Sequence, residues 1–118
     1  MWRDDALLLD MLLASRKIRN LTQDMSWESF QTDEMAQHAM MRLIQVIGEA
    51  ARKVSEEYKQ EHPAIPWAEI IGMRHRLVHD YFNIILEKVW EVIVKDIPPL
   101  VKNLEPLVPP EEHGREKD

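Results

Sequence analysis

Apolar residues recur at helical spacing along most of this chain, and that repeat admits one class of fold. Met40, Leu43, Ile44, Ile47, Ala51, Val54 and Tyr58 step by three and four and line one face of a helix expected from Asp33 to about Tyr58, with Asp33 or Thr32 as its cap. Leu7, Met11, Ala14, Ile18 and Leu21 do the same for a first helix from Asp4 or Asp5 to Leu21, and Leu8 and Leu12 widen that stripe. Asp4 and Asp5 suit the positive end of its dipole; Arg16, Lys17 and Arg19 suit the negative end. Gly48 sits inside the second helix, where glycine costs about 1 kcal/mol relative to alanine. Close approach of another helix would offset that cost. Glu49 beside it reads as a solvated charge or as a partner for an arginine of the Arg74 region.

The segments between these helices carry turn chemistry. Asn20 to Asp33 breaks the repeat, and Trp27 and Phe30 are expected to fasten this loop to the core, the alternative being that they stack on a base. Gln60 to Ile65 is a polar connector, and Pro66 suits the first turn of a third helix reaching Tyr81 or Phe82. Trp67, Ile70, Ile71, Leu77 and Val78 give that helix its core side, and Asn83 tolerates the left-handed conformation that stops a helix. A fourth helix is expected over Leu86 to Asp96, with Leu86, Val89, Trp90, Ile93 and Ile97 inward. Pro98-Pro99 must kink it or begin a new segment, and Leu100, Val101, Leu104 and Leu107 mark one more short helical piece. The expected fold is therefore all-α: an antiparallel four-helix bundle over residues 1–110, with a proline-kinked or additional short C-terminal helix, and a disordered charged tail over 111–118.

Composition narrows the function classes. A chain of 118 residues with 45% hydrophobic content supports a single domain with one core. The absence of cysteine excludes disulfides and thiolate metal sites and fits a reducing cytosol. No apolar run approaches the roughly 20 residues that span a bilayer, and no basic segment precedes the early leucines as in a signal peptide. A net charge of -6 argues against a broad basic grip on nucleic acid, while leaving room for a small basic pocket.

Such a pocket is suggested between Pro66 and Trp90. There Arg74-His75-Arg76-Leu77-Val78-His79-Asp80-Tyr81 gathers arginines, histidines and a tyrosine in an otherwise acidic, leucine-rich chain. Histidine exchanges protons near neutral pH, and arginine offers a permanently charged planar fork for phosphate. On an ideal helix, the five-residue step from Arg74 to His79 turns by about 140°. Arg74, Val78 and Tyr81 then share one line, and His75, His79 and Phe82 share another. Two such helices meeting at a dimer axis could surround one phosphate. Singly, each residue also has a plain reading: Arg74 bridged to Asp80 or Glu69, His79 as an interior histidine, Tyr81 as a rim aromatic. His75 and His79 stand four apart as metal ligands can, but no third ligand is evident, so no metal and no cofactor is expected.

Arg74, His79 and Tyr81 read together as R-x4-H-x-Y. With Ile65-Pro66-Trp67 and Gly72-Met73-Arg74 before the motif, Ile47-Gly48-Glu49-Ala50 further upstream, and Val89-Trp90 and Ile97-Pro98 after it, the chain resembles the HepT toxins of the HEPN superfamily over nearly its whole length. It departs from the family pattern at the turn, where Asn83 and Ile85 stand in place of a glycine and an aspartate cap. The resemblance implies a homodimer with a composite cleft and an RNA substrate, a messenger or a transfer RNA. It implies Arg74 and His79 as the ribonuclease pair; His75, Arg76 and Asp80 beside them are candidate auxiliaries on their own chemistry, and the family often has asparagine where His75 stands. It also implies that an MntA-like nucleotidyltransferase antitoxin modifies Tyr81 with AMP. The competing reading is a non-enzymatic helical subunit that binds such a nucleotidyltransferase.

Overall fold

The computed structural model describes residues 2–78 and 83–109. The boundary expected at residue 110 and the tail expected over 111–118 lie outside the described residues. Within them the secondary structure is helical, with one isolated antiparallel bridge and no strand.

Helix α1 spans Trp2–Thr22. Its buried face runs through Leu8, Met11, Leu12, Ser15, Ile18 and Thr22, so the expected stripe is rotated at its end and Leu21 points outward, 54% exposed. The hydroxyls explain the rotation. Ser15 Oγ donates to Met11 O at 2.7 Å and Thr22 Oγ1 to Ile18 O at 2.7 Å, so each polar group is satisfied within its own helix and can enter the core.

The stretch expected to be a loop contains the short helix α2, Trp27–Gln31, started by a capping box in which Ser26 and Ser29 exchange bonds with each other's backbone. Phe30 on α2 is fully buried and Trp27 half-buried, as expected of anchors. Helix α3, Glu34–Lys53, starts at Asp33, whose carboxylate accepts from Ala36 N–H at 3.0 Å. It buries Met40, Met41, Ile44, Ile47, Ala50 and Ala51.

The single helix expected to reach Tyr58 is broken at Val54 and Ser55, which adopt extended backbone. Ser55 instead caps α4, Glu56–Glu61, accepting from Tyr58 N–H at 3.2 Å. The break is clasped from the other end of the molecule. Asp4 accepts from Ser55 N–H at 3.0 Å and from Ser55 Oγ at 2.7 Å. The start of α1 thus lies at the end of α3, and the two run antiparallel in the largest helix–helix contact of the fold.

The C-terminal layer is α7, Leu86–Glu91, a π-helical turn over Val92–Asp96, and α8, Ile97–Leu104, closing in a 3-10 turn, Glu105–Leu107. Proline lacks the amide donor, and its ring collides with the carbonyl four residues back. The wider π turn, in which Ile97 N–H reaches Val92 O, lets the chain pass into Pro98-Pro99 in the first turn of α8. The expected new segment after the prolines is therefore α8. Val89, Ile93 and Ile97 face the core as expected, and Trp90 lies over Phe30 with ring centroids 5.3 Å apart. Arg16, buried on α1, pairs with Glu105 at 2.6 Å and ties this layer to α1.

The third helix departs most from expectation. It is two short pieces, α5, Trp67–Ile71, and α6, Met73–Arg76, separated at Gly72. The four-helix description accordingly reduces to long α1 and α3, the helical layer over 86–107, and a short jointed element between them.

Candidate active site around Arg74

The jointed element is placed by its apolar side and by glycine. Trp67 is buried, and its indole Nε1–H donates to His62 O at 3.0 Å. His62 Nδ1–H donates to Tyr58 O at 3.0 Å, and its ring stacks on Tyr58 at 4.0 Å. This fixes the connector ahead of α5. On the far side α5 meets α3 at Gly48. A Cβ there would stand 3.3 Å from Ile70 O and 3.7 Å from Ile71 O, so the missing side chain is what admits the carbonyl end of α5. The close approach expected at Gly48 is present. Glu49 next to it is exposed and accepts from Gln45 Nε2 at 3.3 Å, and among the described residues no ion pair joins it to Arg74 or Arg76.

Met73 and Leu77, four apart, are both buried and pin α6 to the core. Arg74, His75 and Arg76 between them are all exposed. The element then stops. Leu77 N–H bonds to Arg74 O at 3.1 Å, and Leu77 O accepts from Ile85 N–H at 2.8 Å. Val78 and Ile84 form the antiparallel bridge. The helix expected to continue to Tyr81 or Phe82 thus ends by Leu77, so Arg74 and Val78 do not share a helical line; the other members of the two expected lines beyond Val78 fall outside the described residues. His79, Asp80 and Tyr81 lie outside the described residues. Both ends of the segment that carries them are pinned to each other at Val78 and Ile84. Asn83 is not left-handed, since no described residue has positive φ. Ile85 starts α7 without a side-chain cap, as the departure from the family pattern implied.

Glu69 does not bridge Arg74. Arg76 Nη2–H donates to the Glu69 carbonyl at 2.9 Å, holding the guanidinium over the α5–α6 joint. It thereby lines a shallow groove of about 90 Å³ between α5–α6 and α8, whose opposite wall carries Asp96, Leu100 and Asn103. Partial burial raises the Asp96 carboxyl above its usual range; Arg76 opposes the rise, and Glu91 and Glu69 add to it. Neither Asp96 nor Asn103 was singled out from sequence. The signal that could have found them is Asp96, Pro99, Leu100 and Asn103 at i, i+3, i+4 and i+7, polar at both ends and apolar between.

Among the described residues no group of three histidine or acidic side chains is disposed to hold a metal ion. None of the described helices is long and apolar enough to cross a membrane.

Comparison with known proteins gives one consistent answer. The family profile described as Ribonuclease HepT-like matches residues 11–107. A Thermococcus cleftensis protein named "Probable ribonuclease HepT" is 35% identical over 100 residues, covering 85% of this chain and 91% of its own. A Methanocaldococcus jannaschii protein whose name provisionally calls it an RNase is 36% identical over 103 residues, covering 87% of this chain and 89% of its own. A second such protein, from Caldanaerobacter subterraneus, is 37% identical over 83 residues, 70% of this chain and 74% of its own. No solved structure gives a significant match.

Proposed function

The chain belongs to the HepT-like ribonuclease family, and we propose that within it the chain is a toxin: a metal-independent RNA endonuclease whose R-x4-H-x-Y motif supplies Arg74 and His79. His79 takes the proton of a ribose 2′-OH. The 2′-oxygen attacks the adjacent phosphorus, the P–O5′ bond breaks, and the departing O5′ takes a proton from a protonated imidazole. The products are a 2′,3′-cyclic phosphate and a free 5′-hydroxyl. The Arg74 guanidinium faces the non-bridging oxygens and stabilises the charge that builds on them. DNA lacks the 2′-hydroxyl and is not cut by this route.

The observation that carries the reading is the setting of Arg74. It is exposed on a short element whose flanking residues, Met73 and Leu77, are core residues, so an accessible guanidinium stands on a backbone held by the core, a few residues before the bridge between Val78 and Ile84. In a homodimer two such sites would share one cleft, doubling the local positive charge of a chain whose net charge is -6. The partner is an MntA-like nucleotidyltransferase acting in the cytoplasm. It adenylylates Tyr81, and an added AMP two residues from His79 brings bulk and negative charge that exclude an RNA phosphate. His75, Arg76 and Asp80 are auxiliaries in this scheme.

The test is RNA cleavage in the presence of chelator by protein whose intact mass shows no AMP, beside Arg74→Ala and His79→Ala. Wild type should leave 2′,3′-cyclic ends, and both variants should be folded and inactive. Unmodified wild type inert on total and transfer RNA would overturn the catalytic assignment. The acidic net charge favours a second reading, a non-enzymatic subunit that binds the nucleotidyltransferase. That protein would form the complex without cutting RNA, and its His79→Ala variant would arrest host growth no differently from wild type.

A further inference from the structure

Apart from Arg76 at its edge, the groove between α5–α6 and α8 has no role in the scheme above. Its walls are two helical strips facing each other, Glu69, Met73 and Arg76 on one side, and Asp96, Leu100 and Asn103 on the other. Its floor is apolar, with Met73 and Leu100 both buried. At about 90 Å³ it falls well below the roughly 300–1,000 Å³ of pockets that enclose a whole ligand. It suits one flat ring rather than a nucleotide.

The polar groups say which ring. Asp96 and Asn103 stand seven residues apart on nearly the same face, a rise of about 10.5 Å. A single ring seated edge-on, with a hydrogen bond of about 2.9 Å at each end, spans such a gap. Asp96 offers only acceptors when ionised, and the Asn103 amide can donate. The charged groups lining the groove, Glu69 and Asp96 against Arg76, sum to net negative, so a phosphate is disfavoured inside it. Outside it, Arg74 and Arg76 are both exposed on the short helix α6.

We propose that this groove is a subsite for a cytosine base of an RNA strand whose backbone passes Arg74, the exocyclic amine donating to Asp96 and the O2 carbonyl, at the other end of the same ring edge, accepting from the Asn103 amide. The substrate class rests on the ribonuclease reading above. Uracil is the same size but presents a carbonyl where cytosine presents the amine, and that carbonyl would face a carboxylate. The carboxylate–amine pair is one that proteins use to read cytosine elsewhere. Asp96, at the end of the π turn, shares this wall with Leu100 and Asn103 at i+4 and i+7.

The test is made by binding, so that it does not depend on catalysis. Full-length protein labelled with 15N is titrated with cytidine 5′-monophosphate and, separately, uridine 5′-monophosphate, following the Asn103 side-chain amide and the α8 backbone amides. Wild type should bind the cytidine nucleotide at least ~5-fold tighter. Asp96→Asn, folded by circular dichroism, should bring the two within about twofold, and Asn103→Ala should weaken cytidine binding. Equal affinities for wild type, unchanged discrimination in Asp96→Asn, or shifts that map away from α8 would each overturn the proposal, as would no binding at millimolar nucleotide. An enzyme that cuts RNA without discriminating would defeat this subsite alone. One that discriminates without cutting would defeat the cleavage reading alone.

Discussion

Removing Asp4 should uncouple the start of α1 from the α3–α4 junction, and the size of the loss follows from the bonds it makes. Asp4 is buried, 4% exposed, and accepts two hydrogen bonds from Ser55, one from the backbone and one from the hydroxyl. Bonds to a charged group contribute about 1.5–3 kcal/mol each, and desolvating the carboxylate offsets a good part of that. Asp4→Ala also leaves the Ser55 amide without its partner in a partly buried place. A net loss of about 2 kcal/mol is expected. Ser55→Ala should cost about 1–2 kcal/mol, since it removes one of those bonds together with the cap of α4. The double variant should lose less than the sum, because the two residues share the bond between Asp4 and the hydroxyl.

The pH dependence has a definite direction. Burial pushes the Asp4 carboxyl up, but the bonds from the Ser55 side chain and backbone outweigh it and leave the group below its usual value. A lowered folded value means that Asp4 stabilises fully above the unfolded carboxylate range, about 3.9, and that this share is lost as pH falls through the lower folded value. Urea unfolding at pH 7 and at a series of pH values below 4 measures both effects. A midpoint for Asp4→Ala within error of wild type at pH 7, or a gap between the two proteins that widens rather than narrows on acidification, would refute the account of the clasp.

Other expectations can be checked with the same preparations. Gly48→Leu should destabilise by about 1–3 kcal/mol and lower RNA cleavage with it, because its side chain must push Ile70 and Ile71 and so displace the element that carries Arg74; unfolding curves and initial rates report the two effects. Phe30→Ala removes a fully buried ring packed on Trp90 and should cost about 3–5 kcal/mol by urea unfolding, despite lying in a stretch that reads as a loop. Tyr81→Phe should keep cleavage while abolishing the mass increase of an adenylyl group on co-expression with the nucleotidyltransferase; retained modification would place the acceptor elsewhere.

The long helices were readable because their apolar stripes are, and the places where reading failed share a cause. Ser15 and Thr22 look like surface residues until their hydroxyls are returned to the backbone four residues back, and without those bonds the stripe points Leu21 inward, where the structure exposes it. Val54 continues the stripe of α3 perfectly well, yet the helix ends there because Ser55 has a better partner in Asp4, fifty-one positions away. No local pattern contains that bond. The motif could be recognised by residue order alone, but its shape could not. Leu77 and Val78 carry helical periodicity, and what stops the helix is Ile84 and Ile85 returning to pair with them. The groove was missed for a related reason: its walls come from segments about thirty residues apart, and each is unremarkable alone.

The π turn before Pro98 also acts as an index mark. The chain turns by about 100° per residue in a helix, so the number of residues between Glu91 and Ile97 sets which side of α8 meets α1 and which side forms the groove wall. Inserting one residue into Val92–Asp96, where the wide turn already holds an extra one, would leave every side chain in α8 chemically intact and rotate them all together. Leu100 and Leu104 would leave the core as Asn103 left the groove. Core and groove in this layer are therefore one setting, governed by segment length rather than by residue identity, and chains that differ there by a single insertion should differ in both at once.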